Sequence, residues 1–454
     1  MSGAEALVRA TPRRRGLLAS VRPRPRWQEA RLLAIVGVAL VVGSISLGAT
    51  LRDRPAPGDP VSPASFAPWD ARALLIYLTA LAIAHAVLVV SGRRLDQILL
   101  PAAAMLGGIG LLLMERLPQT LVTQSFGGVE LGLAQVQLLW LLLAVTIATA
   151  LAVTVRSDSW LRRYKYTWAA AGVALLLLTF VFGTDVAGQR LSLTIGPLSG
   201  QPSELLKVIL VVFLAGYLSE NRQLLVEQDT RIGPLRLPPV PYLAPMAAMW
   251  LIALGIVVVQ RDLGAALLFF GVFLLLLYAA TGRVSLVVIG LVLFVLGSAL
   301  MAQIFPNVRT RFDLWIDPFA DPLGAGYQVV QALHAFARGG LIGVGLGAGL
   351  PTVGGRLPIP EVHTDFPLAA LGEELGLVGV LALLGTYLVV IERGLRIGAA
   401  SADPFRSLLA VGLALVVGIQ AFIIAAGNLK VLPLTGVTLP FISYGGSSLL
   451  ANGL

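Results

Sequence analysis

Apolar residues in this chain fall into blocks near twenty long, the length that crosses a bilayer core as a helix, and short polar links separate them. The pattern predicts spans at Leu32–Leu51, Ala73–Val90, Ile98–Met114, Leu138–Val155, Trp168–Phe182, Leu205–Leu218, Leu243–Val259, Ala265–Thr281, Ser285–Phe305, Pro367–Ile391 and Leu408–Ala426. Residues Ser448–Leu454 read as the start of one more span, cut off at the C-terminus, so the sequence is expected to be incomplete there. One span is shorter than the rest. It opens on Gly200-Gln201-Pro202-Ser203-Glu204, with Pro at a first helical position and an acid in the first turn, and carries Lys207. Charges inside a short span are expected to line a protein-walled or watery cavity. Alternatively Glu204 and Lys207, three residues apart, satisfy each other. The other break in the pattern is the polar segment Pro306–Phe366, roughly sixty residues long where loops of more than about 15 are usually functional.

Composition agrees with this reading. The chain is 57% hydrophobic and 13% charged, with a mean hydropathy of +0.86, which defines an all-α polytopic integral membrane protein. A membrane barrel would show alternating segments of about ten residues, and none is found. With 0 Cys, disulfides, thiolate metal sites and thiol nucleophiles are excluded, and the 3 His are scattered. The net charge of +9 lies mainly in alternate links, Ser91–Leu95, Arg156–Tyr166, Ser219–Pro239, Gly282–Val284 and Glu392–Arg406. That is the positive-inside pattern rather than a nucleic-acid stripe. Residues 1–31, with Arg9, Arg13, Arg14, Arg15, Arg22, Arg24, Arg26 and Arg31, read as a basic cytoplasmic arm, and Pro306–Phe366 then faces outward.

Several polar features need placing. Asp262, Glu373 and Glu374 lie at membrane depth and need cationic partners, for which Lys207 and Arg261 are the candidates; a structural role is favoured for Glu373 and Glu374. The glycine-rich run Gly339–Gly349 lacks a Walker Lys and a strand-to-helix setting, so it reads as flexible or re-entrant backbone near the membrane rather than a nucleotide loop. Asp313, Asp317 and Asp321 recur every four residues beside Pro318 and Pro322, which reads as turn chemistry rather than a metal site.

The segments Gln201-Pro202-Ser203-Glu204-Leu205-Leu206-Lys207, Gln260-Arg261-Asp262-Leu263-Gly264, Asp321–Gln328, Pro360-Glu361-Val362-His363-Thr364-Asp365-Phe366, Gly372–Gly376 and Leu439–Ser448 together resemble the FtsW/RodA family of bacterial shape, elongation, division and sporulation proteins. The match runs from about Ile98 to the end of the chain. It implies a ten-span core over residues 98–454, including the outer loop 306–366, with residues 32–97 as an N-terminal extension of two spans. It also implies a peptidoglycan glycosyltransferase of the bacterial cytoplasmic membrane, with a cytoplasmic N-terminus. Such an enzyme polymerises lipid II, an undecaprenyl-pyrophosphate disaccharide-pentapeptide, beside a class B penicillin-binding protein. No cofactor is implied, and a divalent cation is left open. Two positions depart from the family: Ser192 stands where a Trp is common, and Arg261 replaces the Pro of Gln-Pro-Asp-Leu-Gly.

Glycan polymerisation needs a base to take a proton from a sugar hydroxyl as it attacks an anomeric carbon. The pyrophosphate leaving group needs cations or helix N-termini rather than an acid. The resemblance makes Asp365 the catalytic base, at a helix start after Thr364 as the expected cap, with His363 as the rival proton acceptor. Arg190, Gln201, Ser203, Glu204, Lys207, Glu361, His363, Thr364, Lys430 and Ser443 are the expected substrate-binding residues. Arg309, Arg311, Arg338 and Arg356 are further outer-side cations. A lipid II flippase and an inactive recruiting scaffold are the competing readings, since charges in a short span and interrupted helices also mark transporters.

Overall fold

The structure, a computed structural model, describes residues 23–52, 71–126, 128–186, 189–195, 198–227, 230–232, 235–237, 240–259, 262–349 and 357–454. The helices are α1 (Trp27–Arg52), α2 (Arg72–Ser91), α3 (Leu99–Arg116), α4 (Leu133–Thr154), α5 (Ser159–Arg163), α6 (Lys165–Phe182), α7 (Pro202–Glu227) and α8 (Val240–Val259). They continue with α9 (Leu263–Thr281), α10 (Val284–Ile304), α11 (Pro306–Ile316), α12 (Tyr327–Gly339), α13 (Pro367–Ala400), α14 (Pro404–Asn428) and α15 (Gly446–Gly453). Among the described residues, 10 helices are long and apolar enough to cross a membrane. The only strands described form short antiparallel hairpins in the links, such as Gln124–Phe126 with Val129–Leu131. The chain is a polytopic helical membrane protein.

Enclosure differs sharply among the spans. The apolar window of α7 is 78% buried and that of α10 only 6%, so α7 is central and α10 peripheral. Helix α7 packs on α6, α9 and α14, while α13 packs on α12 and α14. The first two helices, α1 and α2, pack on α3 and α4. They are tied to the segment before α3 by Arg26, which donates to the Leu95 and Asp96 carbonyls and pairs with the fully buried Glu29. Glu29 also meets His85 Nδ1 at 2.6 Å.

Several elements differ from the sequence reading. Helix α7 is 26 residues long rather than a short span. Its polar end continues the helix past the apolar run, where Glu220 pairs with Lys165 at 2.7 Å. The loop between Pro306 and Phe366 is largely ordered: it holds α11, a 3-10 turn at Pro318–Ala320 and the amphipathic α12. In it, Asp317 accepts from Phe319 N–H, and Asp321 accepts from the N–H groups of Gly324 and Ala325. The arm residues 1–22, together with Arg261, Thr352 and Arg356, lie outside the described residues.

The glycine-rich run has a defined job. Helix α13 breaks at Gly376, whose φ of 66° leaves the helical ladder. The freed carbonyls of Glu373 and Glu374 accept from Val344 and Gly345 N–H, both at 3.0 Å, and the N–H groups of Leu377 and Val378 donate to the Gly340 and Leu341 carbonyls. A broken helix at membrane depth needs such partners, because lipid supplies none. The fit demands glycine, since a Cβ on Gly343 would sit 2.1 Å from the Glu374 oxygen and one on Gly376 2.3 Å from the Gly343 nitrogen. The partners of the two buried carboxylates are also not those expected from sequence. Glu373 pairs with Arg338 at 2.9 Å and Glu374 with Arg116 at 2.6 Å, while Lys207 pairs with Glu204 and Arg261 lies outside the described residues.

Candidate active site

The turn from Glu361 to Phe366 folds on itself, with the N–H of Asp365 donating to the Glu361 carbonyl at 3.0 Å. Three consecutive carbonyls of this turn are then held from the C-terminal part of the chain. Tyr444 N–H donates to His363 O at 2.8 Å, the Ser443 hydroxyl to Thr364 O at 2.6 Å, and the Asn428 amide to Asp365 O at 2.8 Å. Ser443 and Asn428 are themselves buried. The turn is therefore fixed as backbone, which frees the Asp365 side chain for other work.

That side chain edges a cavity of about 520 Å³ lined by α11, the start of α12 and the segment after α14. Arg311, Trp315, Tyr327, Gln328 and Lys430 share the wall. Burial pushes the Asp365 carboxyl up to about 6, with Glu361 adding to the rise and Arg311 opposing it. Burial also lowers the His363 imidazole, so His363 is neutral near pH 7; its ring lies 5.9 Å from Tyr444 and does not line the cavity.

Lys430 sits in left-handed backbone with φ 59°, a conformation that costs a non-glycine residue roughly 1–2 kcal/mol. Its carbonyl accepts from Trp315 Nε1 at 3.1 Å, and its ammonium reaches Ile316 O at 3.2 Å. Strain of this kind is retained where surroundings over-determine it. An ammonium carries three donors, so Lys430 keeps capacity for a ligand.

A second polar group lies below, at the start of α7. Gln201 and Ser203 donate to Asp262 at 3.3 and 3.5 Å, and Asp262 caps α9 by accepting from Ala265 N–H at 3.0 Å. Lys207, 1% exposed, donates to Glu204 at 2.6 Å, Gln420 at 2.7 Å and Asn452 at 2.9 Å.

Among the sequence-predicted residues, Asp365 and Lys430 therefore share one cavity, while Gln201, Ser203, Glu204 and Lys207 form the second group. Glu361, His363 and Thr364 belong to the same turn as Asp365 but do not line the cavity. Thr364 is not the helix cap: the N-cap position of α13 is Phe366, and the Thr364 hydroxyl donates instead to the Glu361 carboxylate at 3.1 Å. Arg190 lies on the strand Gln189–Ile195, with its side chain outside the described part. Trp315 and Asn428 were missed as site residues, whereas Arg311 is one of the outer-side cations expected from sequence. The spacing of Arg311, Leu314 and Trp315 on one face of a helix is the signal that points to Trp315. No group of three or more His, Asp or Glu that could hold a metal occurs among the described residues.

The architecture is thus a membrane bundle with a carboxylate of raised pKa and two cations in one cavity at its rim. The chain belongs to the FtsW/RodA/SpoVE family of cell cycle proteins, whose model matches residues 96–454. It is 42% identical over 390 residues, 85% of this chain and 81% of the relative, to the peptidoglycan glycosyltransferase RodA of Mycobacterium tuberculosis (strain ATCC 25618 / H37Rv). It is 36% identical over 362 residues, 78% of this chain and 88% of the relative, to the probable peptidoglycan glycosyltransferase FtsW of Nitrosococcus halophilus (strain Nc4). In fold it is similar to a chain from a peptidoglycan synthase complex that coordinates polymerization and crosslinking, with a TM-score of 0.53 and 27% identity over 85% of this chain and 94% of that one.

Proposed function

We propose that this chain is a peptidoglycan glycosyltransferase that polymerises lipid II at the outer face of the bacterial cytoplasmic membrane, with Asp365 as general base. The observation that carries the reading is the pairing, in one 520 Å³ cavity, of a carboxyl pushed up to about 6 with the cations Lys430 and Arg311. A base poised just below the working pH is ionised when needed yet still takes up a proton readily.

Asp365 takes the proton of the acceptor sugar hydroxyl as its oxygen bonds to the anomeric carbon of the donor. The bond from that carbon to the lipid pyrophosphate breaks, and its electron pair leaves with the phosphate. The Lys430 ammonium meets the charge that develops there, which is where fixed positive groups lower a barrier most. The basic links and arm support a cytoplasmic N-terminus; in this reading residues 32–97 are an extension outside the catalytic core, and a class B penicillin-binding protein is the partner.

Purified protein given fluorescent lipid II tests this. Glycan polymer that disappears with Asp365→Asn supports the reading. Leaflet exchange in vesicles without polymer makes the chain a flippase, and neither activity makes it a scaffold.

A further inference from the structure

Arg311 lines the cavity beside Asp365, which invites the reading that it grips substrate. Its contacts say otherwise. One guanidinium nitrogen, Nη1, donates to two backbone carbonyls of the segment after α14, Leu434 O at 3.2 Å and Thr435 O at 2.9 Å. The next residue, Gly436, has a φ of 75°, and a Cβ there would lie 3.9 Å from an Asp365 carboxylate oxygen. Thr435 O also closes on α9, lying 3.0 Å from where a Cβ on Gly264 would be. Three residues further on, Thr438 accepts from Gln420, which in turn accepts from Lys207. The strip 434–438 therefore runs from the cavity wall to the buried polar group around Lys207, and Arg311 fastens its upper end.

We infer that Arg311 is a positioning residue: by tying the Leu434 and Thr435 carbonyls to α11 it seats the 434–438 strip against Asp365, and it places a fixed positive charge between Asp365 and Asp262. Lys430, whose ammonium spends one donor on the Ile316 carbonyl among the described residues, is the cation left for the leaving pyrophosphate. Groups facing Asp365 are Glu361 on its own turn, Arg311 on α11 and Lys430 after α14, with His363 turned toward Tyr444. Of these, Arg311 is the cation that opposes the rise of the Asp365 carboxyl. Its loss therefore drives that carboxyl further up.

This inference rests on Asp365 being the base. The test measures polymerisation of fluorescent lipid II by full-length protein in lipid nanodiscs across pH 5–9, for the parent, Arg311→Gln, Arg311→Lys and Asp365→Glu. For Arg311→Gln the acid limb of kcat/KM moves to higher pH, and kcat falls about tenfold or more while KM stays within about twofold. Arg311→Lys keeps the charge but not the two-carbonyl tie, so its limb stays near the parent's while kcat falls. It also serves if Arg311→Gln fails to fold. A KM raised about tenfold in either variant with kcat unchanged means that Arg311 grips substrate and overturns the inference, as does a parent-like profile in both. If Asp365→Glu leaves the parent's limb where it was, the fault lies with the assignment of Asp365, and the KM-against-kcat split alone decides for Arg311.

Discussion

Protonation of Asp365 makes a sharp prediction about pH. Its carboxyl is raised from 3.8 to about 6, two pKa units or roughly 3 kcal/mol of disfavoured charge. At pH 5 only about a tenth of Asp365 is then ionised, so kcat/KM falls roughly tenfold below its plateau; an ordinary Asp would lose almost nothing there. Glu361 is one cause of the rise, so Glu361→Gln moves the limb to lower pH. Because Glu361 is exposed, solvent screens it and the movement is a few tenths of a unit. The same shift bears on folding. A carboxyl whose pKa is raised in the folded state gives stability that is present below about pH 4 and lost as pH rises through 6. Asp365→Asn removes that loss and keeps the side-chain volume. It therefore raises stability at pH 7.5 by up to about 3 kcal/mol while lowering the rate by about 10²–10⁴-fold. Initial polymerisation rates from pH 4.5 to 8, with thermal unfolding in the same detergent, read both. An acid limb with its midpoint below pH 5, or a parent-like rate in Asp365→Asn, refutes the reasoning.

Three further outcomes are expected. Lys207→Met strands the part-buried Glu204 and leaves Gln420 and Asn452 without their donor, so the thermal midpoint falls; if Lys207 is structural, adding Glu204→Gln restores midpoint and activity together, and if it binds lipid II the midpoint recovers while binding does not. Gly376→Ala puts a Cβ into the Gly343 backbone at a φ of 66°, so it destabilises the fold by about 1–3 kcal/mol or more, whereas Gly385→Ala, with open space around it, leaves the midpoint within about 0.5 kcal/mol of the parent. The chain has 0 Cys, so Ser157→Cys and Thr310→Cys report sidedness: an impermeant thiol reagent outside intact cells labels the second and not the first, and the reverse pattern overturns the orientation.

What could be read from sequence was what repeats or what crowds together. Spans announced themselves because lipid imposes one composition on every turn of a crossing helix, and the run Pro360–Phe366 stood out as polar residues after a long apolar chain. The glycine run was legible as irregular backbone near the membrane. Its role in closing the break at Gly376 was not, because carbonyls meeting N–H groups thirty residues earlier leave no local period. Long-range pairing explains the misses as well. Asn428 reaches Asp365 across 63 residues, Arg116 reaches Gly349 across 233, and Arg311, legible as an outer-side cation, is tied to Thr435 across 124, which is not. Thr364 was misread for a different reason. A hydroxyl just ahead of a helix start has the local look of a cap, and the nearby Glu361 carboxylate took it instead. The length of α7 was underestimated because hydropathy ends where the membrane does, while the helix goes on through Glu220 to Glu227.

The three carbonyls of the Asp365 turn that are held by Asn428, Ser443 and Tyr444 bear on the order in which the site is assembled during synthesis. Thr364 and Ser443 are 79 residues apart. At a translation rate of about 5–20 residues per second, roughly 4–16 s pass between the emergence of Asp365 and that of the residues that fix it. During that interval the turn lacks the three donors that hold its carbonyls in the folded protein. A nascent chain halted before Ser443 would carry the proposed base without the seat that orients its turn.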